Sequence, residues 1–319
     1  MEGVYKTKIS HQQLQEVVLY HFGQSLREFI ELADGWANSA YLLTLEDDRV
    51  VVLKASPRAD VKRMRCELNT MQTEVEVMRL LADVEDFPIP RIYAYDDSLQ
   101  LLPVTYFIME CLEGQPYSKL KESLSKDDQD YIERQLGYYN RQINEVTGTY
   151  FGAVVDDGST RSSSWRECFR KMIFGVLQDG EEAGVVLPLS YEALRTEIDA
   201  RLGVLDEVVV PQLVHWDLWE GNVFVKDGVI TGIIDYERAM WGDPLIEVYF
   251  GRFYPSEGFR LGYDIPPFGE SQLARRKLYD LFLDLIIVIE CAFRQYDNPE
   301  HSQWTSDNLD YGLEQFLRS

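Results

Sequence analysis

Residues 215–244, HWDLWEGNVFVKDGVITGIIDYERAMWGDP, carry the most specific pattern in the sequence. It contains two apolar runs, NVFV and VITGII, separated by Asp227-Gly228, a dipeptide typical of two-residue β-hairpin turns. Pairing the two strands back from this turn places Asn222 and Asp235 at the same end of the hairpin. Asp217 lies five residues before Asn222. An amide and two carboxylates are therefore predicted to lie together.

A cluster of this kind has the chemistry of a magnesium site. Carboxylate and amide oxygens are the hard ligands that Mg²⁺ prefers, and the ion keeps positions for water and phosphate oxygens. Taken alone, each of these side chains is better explained without a metal, Asp217 and Asn222 as turn caps and Asp235 as a solvated residue at a strand end. The set His215-x-Asp217-x-x-x-x-Asn222, followed thirteen residues later by Asp235, is more specific than any of its members.

The stretch resembles the aminoglycoside phosphotransferase family, whose fold is protein-kinase-like. HWDLWEGNVFV resembles its catalytic segment, and GIIDYERAMWGDP resembles its metal-binding aspartate followed by the Gly-Asp-Pro signature. By this resemblance Asp217 would accept the proton of a substrate hydroxyl. Asn222 and Asp235 would hold the Mg²⁺ that bridges the phosphates of ATP or GTP. His215 would brace the loop, and Asp243 would be structural.

The sequence departs from the family pattern at aromatic positions. Trp216 stands where the family commonly carries glycine, and Trp219 adds a second ring beside the catalytic segment. Tyr236-Glu237 follows the metal aspartate in place of the Phe-Gly of protein kinases. These changes leave the base and metal positions intact, and they leave the identity of the acceptor open.

The N-terminal half supplies two further parts of a kinase-like site, a strand lysine and a helix glutamate. Lys54 closes the strand-like run RVVVLKA, and apolar residues at helical spacing predict a helix over residues 61–82. On the helical wheel Glu74 faces the buried stripe, whereas Glu76 faces away. Because a buried charge needs a partner, Glu74 is predicted to pair with Lys54. The alternative is a Glu74 that reaches solvent at the edge of the stripe.

Two weaker signals predict contacts to the nucleotide. The loop LADGWANSA would lie over the triphosphate, with Gly35 making a tight turn and Asn38 and Ser39 offering polar contacts. With one glycine it is not a Walker loop. FIMECLEG resembles the hinge whose backbone near Glu110 and Leu112 hydrogen-bonds the adenine, although an ordinary strand leaving a sheet would look the same.

The predicted fold is α+β and protein-kinase-like, with two lobes. A small N-terminal β-sheet lobe would comprise residues 1–112 and bind the nucleotide. A larger, mainly helical lobe would comprise residues 113–319 and carry the catalytic hairpin. Within the first lobe, Ser10 and Gln13 predict a capping box that opens a helix, residues 25–32 are predicted as a second short helix, and SAYLLTL and RVVVLKA form a hairpin.

Composition narrows the class of partner. The 319 residues include 54 acidic and 31 basic side chains, a net charge of −23, which repels nucleic acids and anionic membranes. Such a surface is compatible with a cationic acceptor, although it more often serves solubility. No signal peptide or membrane span is evident, and the cysteines lack metal or redox spacing, so a cytoplasmic protein is expected. The four thiols are Cys66, Cys111, Cys168 and Cys291.

The same residues argue against several rival functions. Gly242 follows Asp235 by only seven residues, too few for the peptide-binding activation segment of a protein kinase, so a small-molecule acceptor is favoured. A nucleotide-binding pseudokinase that acts as a scaffold would have no reason to keep the base. A metal-dependent hydrolase would not need Lys54 and Glu74. Aminoglycosides, choline-like amines, amino sugars, homoserine and macrolides remain open as acceptors, and the oligomeric state is undetermined.

Overall fold

The computed structural model describes residues 5–32, 37–155, 158–295 and 298–318. The helices of these ranges are α1 (His11–Phe22), α2 (Thr70–Leu81), α3 (Tyr117–Leu120), α4 (Lys126–Glu145), α5 (Trp165–Glu182), α6 (Tyr191–Asp199), α7 (Glu257–Tyr263), α8 (Glu270–Arg294) and α9 (Pro299–Leu317). The strands are β1 (Leu26–Leu32), β2 (Ser39–Leu45), β3 (Val50–Ala55), β4 (Ile92–Asp96), β5 (Tyr106–Glu110), β6 (Gln115–Pro116), β7 (Gly152–Ala153), β8 (Gln212–Val214), β9 (Val223–Lys226), β10 (Val229–Ile233) and β11 (Met240–Gly242).

The N-terminal part is an antiparallel sheet in the order β1-β2-β3-β5-β4, with a helix against each face. Successive side chains of a strand point to opposite faces. On β3, Val51 and Leu53 pack in the cluster that includes α1, whereas Val52 packs with α2. The same alternation directs Lys54 toward α2. The register of β3 therefore decides which helix can supply the partner of this lysine.

The C-terminal part is mainly helical and carries the hairpin β9–β10. Both turn residues have positive φ, 51° at Asp227 and 78° at Gly228, as a type I′ turn requires. Trp165 of α5 and Phe282 of α8 lie in the largest buried cluster, which also includes residues of α6 and α9. The predicted mixed α+β architecture is confirmed, with the hairpin packed between the sheet and the helices. None of the described helices is both long and apolar enough to cross a membrane.

Two local predictions are wrong. Residues 25–32 do not form a helix, because Leu26–Leu32 pairs antiparallel with β2 as the edge strand of the sheet. The helix predicted over residues 61–82 begins only at Thr70. Asn69 adopts a left-handed conformation before it, and Glu67 is held by Arg294 of the distant helix α8. In both segments contacts remote in sequence override local helical propensity.

Helices α4 and α7 approach each other so closely that glycine is required. A Cβ atom at Gly262 would lie 1.9 Å from the carbonyl oxygen of Arg134, and one at Gly137 would lie 2.0 Å from that of Phe259. These contacts involve backbone, which cannot move aside without shifting a helix. The glycines therefore fix the distance between the two helices.

Gly262→Ala is expected to lower the free energy of unfolding by about 1–3 kcal/mol, because the added methyl group forces the helices apart. Urea unfolding followed by circular dichroism measures this change. Gly203→Ala is the matched control, since nothing lies within 4 Å of a Cβ at that position. Equal stability of the two variants would contradict the packing argument.

Candidate active site

The segment after β8 is anchored by a buried, neutral histidine. The backbone N–H of Asp217 donates to Nδ1 of His215 at 3.2 Å, so Nε2 carries the proton and donates to the carbonyl oxygen of Ile234 at 2.9 Å. Burial lowers the pKa of His215 to about 4, which keeps the ring uncharged. His215 therefore ties the catalytic segment to the end of β10, the bracing role that the sequence predicts for it.

The residue before the predicted base is held in a strained conformation. Trp216 has φ 65°, a left-handed conformation that is rare for a bulky side chain, which explains why glycine suits this position. Its backbone N–H donates to Glu247 at 2.7 Å, and the N–H of Leu218 donates to the same carboxylate at 3.2 Å. The Trp216 ring also stacks on Phe282, with centroids 5.3 Å apart. These contacts hold the backbone on both sides of Asp217.

The hairpin brings Asn222 and Asp235 to the same end, as its turn predicts. Val223 pairs with Ile233, and the N–H of Ile234 donates to the carbonyl oxygen of Asn222 at 3.0 Å. The side-chain Nδ2 of Asn222 donates to the backbone oxygen of Asp217 at 2.8 Å and to its carboxylate at 3.3 Å. With its nitrogen engaged, Asn222 has its amide oxygen left to ligate a cation.

Lys54 joins the sheet to this end of the hairpin. Its Nζ lies 2.6 Å from Oε2 of Glu74 and 2.6 Å from Oδ1 of Asp235. The carboxylate of Glu237 is 3.9 Å away and also accepts a hydrogen bond from Nδ2 of Asn38. The predicted Lys54–Glu74 pair is present, and Glu74 is only 1% exposed. One ammonium therefore faces three carboxylates.

Burial and the charges around Lys54 shift the pKa values of the three acids. Burial raises the pKa of Glu74 to about 8, with Lys54 opposing the rise. Burial and the charge of Asp235 raise the pKa of Glu237. For Asp235 burial acts in the same sense, but the Lys54 ammonium overrides it and holds the pKa of this carboxyl below its usual range. The site thus holds more acid groups than Lys54 can neutralise.

The oxygen atoms of this cluster fit a divalent cation. Carboxylate oxygens of Glu74, Asp235 and Glu237 all lie within 4.8 Å of one another. The second oxygen of Glu74 is buried and has no hydrogen-bond partner. The amide oxygen of Asn222 adds a ligand at the adjacent hairpin end. A set of oxygen ligands with excess negative charge suits Mg²⁺. The sequence predicts Asn222 and Asp235 as ligands, and the structure adds Glu237 as a candidate.

Asp217 lies beside the cluster, where its charge depends on an arginine. Burial raises the pKa of Asp217 to about 8, and Asp235 and Glu237 add to the rise. The Arg238 guanidinium opposes it. Arg238 is itself fixed by Glu290 at 3.1 Å and lies over the Trp216 ring, 5.7 Å from the centroid. Arg238, the cation that lowers the pKa of Asp217, is therefore held in place by its own contacts.

The residues predicted to contact the nucleotide differ in their burial and in their hydrogen-bond partners. Glu110 ends β5, and its N–H is already donated to Arg91 at 2.8 Å. Leu112 packs against Gly232 of β10, where a Cβ would lie 2.3 Å from the leucine side chain. Asn38 reaches the cluster through Glu237. Ser39, by contrast, is 1% exposed, and its hydroxyl accepts the N–H of Thr7 at 2.8 Å. Gly35 lies outside the described residues.

Three residues of the site are not identified by sequence reasoning. In the sequence Glu237 stands out only as a departure from Phe-Gly, and Arg238 gives no signal of its own. Glu247 carried a usable signal, since an acid inside the apolar run LIEVYF must find buried partners. Asp243, predicted to be structural, accepts hydrogen bonds from Tyr279 and Arg275 at 2.6 and 2.7 Å.

Glu247→Ala is expected to lower the free energy of unfolding by about 1–3 kcal/mol for each buried N–H that loses its acceptor, with Trp216 the most affected. Urea unfolding measures the loss. Glu76→Ala, which removes an exposed acid paired with Arg79 on α2, is the control and should change stability little. A Glu247 variant as stable as the Glu76 variant would show that the carboxylate does not hold the loop.

Comparison with known proteins agrees with this geometry. The family model described as the phosphotransferase enzyme family, APH, matches residues 28–264. A probable ketoamine kinase of Vibrio vulnificus is 26% identical over 278 residues, covering 85% of this chain and 88% of that protein.

Solved structures show the same fold. A thermostable mutant of the aminoglycoside phosphotransferase APH(4)-Ia, in its apo form, superposes with a TM-score of 0.69 at 19% identity, over 96% of this chain and all of that one. A variant of it in a ternary complex with AMP-PNP and hygromycin B gives 0.67 at 17% identity, over 96% and 100% of the two chains. The chain belongs to the phosphotransferase enzyme family and is a small-molecule kinase with a protein-kinase-like fold.

Proposed function

We propose that this enzyme transfers the γ-phosphoryl group of ATP or GTP to a hydroxyl of an amine-bearing sugar, with ketoamines as the first class to test. The observation that carries the proposal is the meeting of two groups at one end of the hairpin. Asp217, the proposed base, lies there, and Lys54 lies there between Glu74 and Asp235, at 2.6 Å from each. This is the arrangement that phosphoryl transfer in kinase-like sites requires.

Each side chain has a defined role in this proposal. Glu74 holds Lys54 in place, and Lys54 directs its ammonium to the phosphate oxygens. Asp235, Asn222 and Glu237 hold Mg²⁺, which, when bound, neutralises the triphosphate and aligns its γ-phosphorus. Near Glu110 and Leu112 the backbone binds the base of the nucleotide through groups other than the Glu110 N–H, which already donates to Arg91, and Asn38 lies toward the phosphates.

In the chemical step the protein itself forms no covalent bond to the phosphoryl group. The acceptor oxygen forms a bond to the γ-phosphorus while the bond from that phosphorus to the β-γ bridging oxygen breaks, leaving a nucleoside diphosphate. The carboxylate of Asp217 orients the hydroxyl and takes its proton. Because Asn222 and the braced backbone on either side fix Asp217, most of the rate gain comes from positioning.

Two observations support the acceptor class. The relative of Vibrio vulnificus that matches most of this chain is named a probable ketoamine kinase. The net charge of −23 favours the approach of an amine over that of a polyanion.

The proposed location is the cytoplasm. It is supported by the cysteines, which are all free thiols, as expected in a reducing compartment: Cys66, Cys111, Cys168 and Cys291.

Asp217→Asn is expected to lower kcat by about 10²–10⁴-fold while leaving nucleotide affinity unchanged, because it removes the base but not the metal ligands. Asp235→Asn is expected to abolish Mg²⁺-dependent nucleotide binding. Release of ADP or GDP, measured over a panel of ketoamines, amino sugars and aminoglycosides, reports turnover, and calorimetry reports nucleotide binding.

Asp227→Asn is the matched control for both variants, since it makes the same change at the exposed hairpin turn, where Asn-Gly is equally favourable. It should match the wild type in both assays. Equal loss of nucleotide binding in the Asp217 and Asp235 variants would show that the two roles are assigned wrongly. Failure of every sugar acceptor, with nucleotide binding intact, would reject the acceptor class.

The rate should rise with pH until Asp217 is ionised. Because burial raises the pKa of Asp217 to about 8, kcat/KM is expected to increase about tenfold per pH unit below that value and to level off above it. Arg238→Gln should move this limb to higher pH, since the guanidinium lowers the pKa of the base, and Arg238→Lys should restore it partly. Profiles of kcat/KM from pH 6 to 9 measure both effects. A limb that stays in place in Arg238→Gln would exclude the arginine from this role.

A further inference from the structure

A cavity of about 410 Å³ adjoins the loop that carries Asp217. It lies between α5, the segment before α2 and the residues that follow Asp235. Trp216, which precedes the base, forms part of its wall, as do Glu237 of the carboxylate cluster and Arg238. A molecule in this cavity would therefore contact the residue next to Asp217 in sequence and one carboxylate of the cluster around Lys54.

The side chains that line the cavity carry a net positive charge, although the chain as a whole is strongly negative. Its lining cations outnumber its lining acids four to one: Arg65, Arg170, Lys171 and Arg238 against Glu237. The chain as a whole has 54 acidic and 31 basic residues. Apolar side chains such as Phe174 and Met172 line the same space. The wall is thus suited to a molecule with both an apolar part and a negative charge.

Three of the four cations are already neutralised by acids outside the lining. Arg65 pairs with Asp179 and Glu182, and Arg238 pairs with Glu290. Arg170 pairs with Asp199, its two nitrogens lying 2.7 and 3.1 Å from the carboxylate oxygens.

Lys171 differs from them. Its Nζ donates to the backbone carbonyl of Arg161 at 3.0 Å, and among the described residues no carboxylate forms an ion pair with it. An ammonium has three N–H donors, so one hydrogen bond leaves donors available. Lys171 is consequently the lining cation whose ammonium group is available to bind an anionic ligand.

We propose that this cavity binds the acceptor, and that the acceptor carries an anionic group which Lys171 recognises. The inference rests on the proposed function and narrows it. The acceptor is a ketoamine whose amine comes from an amphipathic, acid-bearing molecule, so that its chain lies against Phe174 and its carboxylate or phosphate meets Lys171. A polycationic aminoglycoside is a poor match for this wall.

The test compares three ketoamines that share one sugar and differ only at the far end of the amine chain, which carries a carboxylate, a phosphate ester or a neutral amide. Steady-state kinetics of the full-length enzyme with saturating Mg²⁺ and nucleotide give kcat and KM for each. A charge-assisted hydrogen bond predicts a KM about tenfold lower for an anionic acceptor than for the amide, with similar kcat. Comparison of the carboxylate with the phosphate ester identifies the preferred anion.

Lys171→Met should raise KM for the anionic acceptors about tenfold, leave KM for the amide unchanged, and leave kcat unchanged. Lys171→Arg should retain most of the preference. Lys126→Met, which removes an exposed lysine of α4 paired with Asp130, is the control and should behave like the wild type.

The outcomes separate the two proposals. Phosphorylation of all three ketoamines with equal KM, or a preference that survives in Lys171→Met, would overturn the role of Lys171 and leave the proposed function standing. Phosphorylation of none of them, with nucleotide binding intact, would overturn the proposed acceptor class and this inference with it.

Discussion

The ammonium group of Lys54 is the point on which the site depends. It lies 2.6 Å from a carboxylate of helix α2 and 2.6 Å from one that follows strand β10, so it links the sheet, the helix and the hairpin. An unpaired carboxylate at either position would be costly to bury, which means that the ion pairs fix how the three elements lie together. Glu237 adds a third carboxylate, and the surplus of negative charge makes the site ready for a cation.

The position of Asp217, the proposed base, is fixed by a different part of the structure. Asp217 lies between Trp216 and Leu218, and the backbone N–H groups of these two neighbours both donate to Glu247, which also accepts the N–H of Val248. A fully buried carboxylate therefore organises the loop, and its hydrogen bonds offset the strain of a tryptophan in a left-handed conformation. Because these contacts are all made within the protein, the orientation of Asp217 does not depend on a contact to substrate. Preorganisation of this kind is where kinase-like sites obtain most of their rate.

Charge acts on two scales in this enzyme. The overall charge of −23 governs the long-range field, which repels nucleic acids and anionic membranes and attracts amines. Within the cavity beside the loop the local balance is reversed, because arginines and a lysine line it together with apolar groups. At physiological ionic strength, fields are screened beyond about 8 Å. In the proposal made here, the net charge favours the approach of amines as a class, and the local groups of the cavity distinguish one acceptor from another.

The hairpin, the clustering of Asp217, Asn222 and Asp235, and the inward direction of Glu74 could all be predicted from the amino-acid sequence. These follow from turn chemistry and from the periodicity of strands and helices, which are local properties. Three other features became evident only in the folded protein: residues 25–32 form an edge strand, Glu247 holds the loop, and Lys171 lines the cavity. Each of these depends on a partner brought close by folding: Glu247 meets Trp216 across 31 residues of sequence. No local pattern records such a partner, because the contact exists only once both segments have packed on the same core.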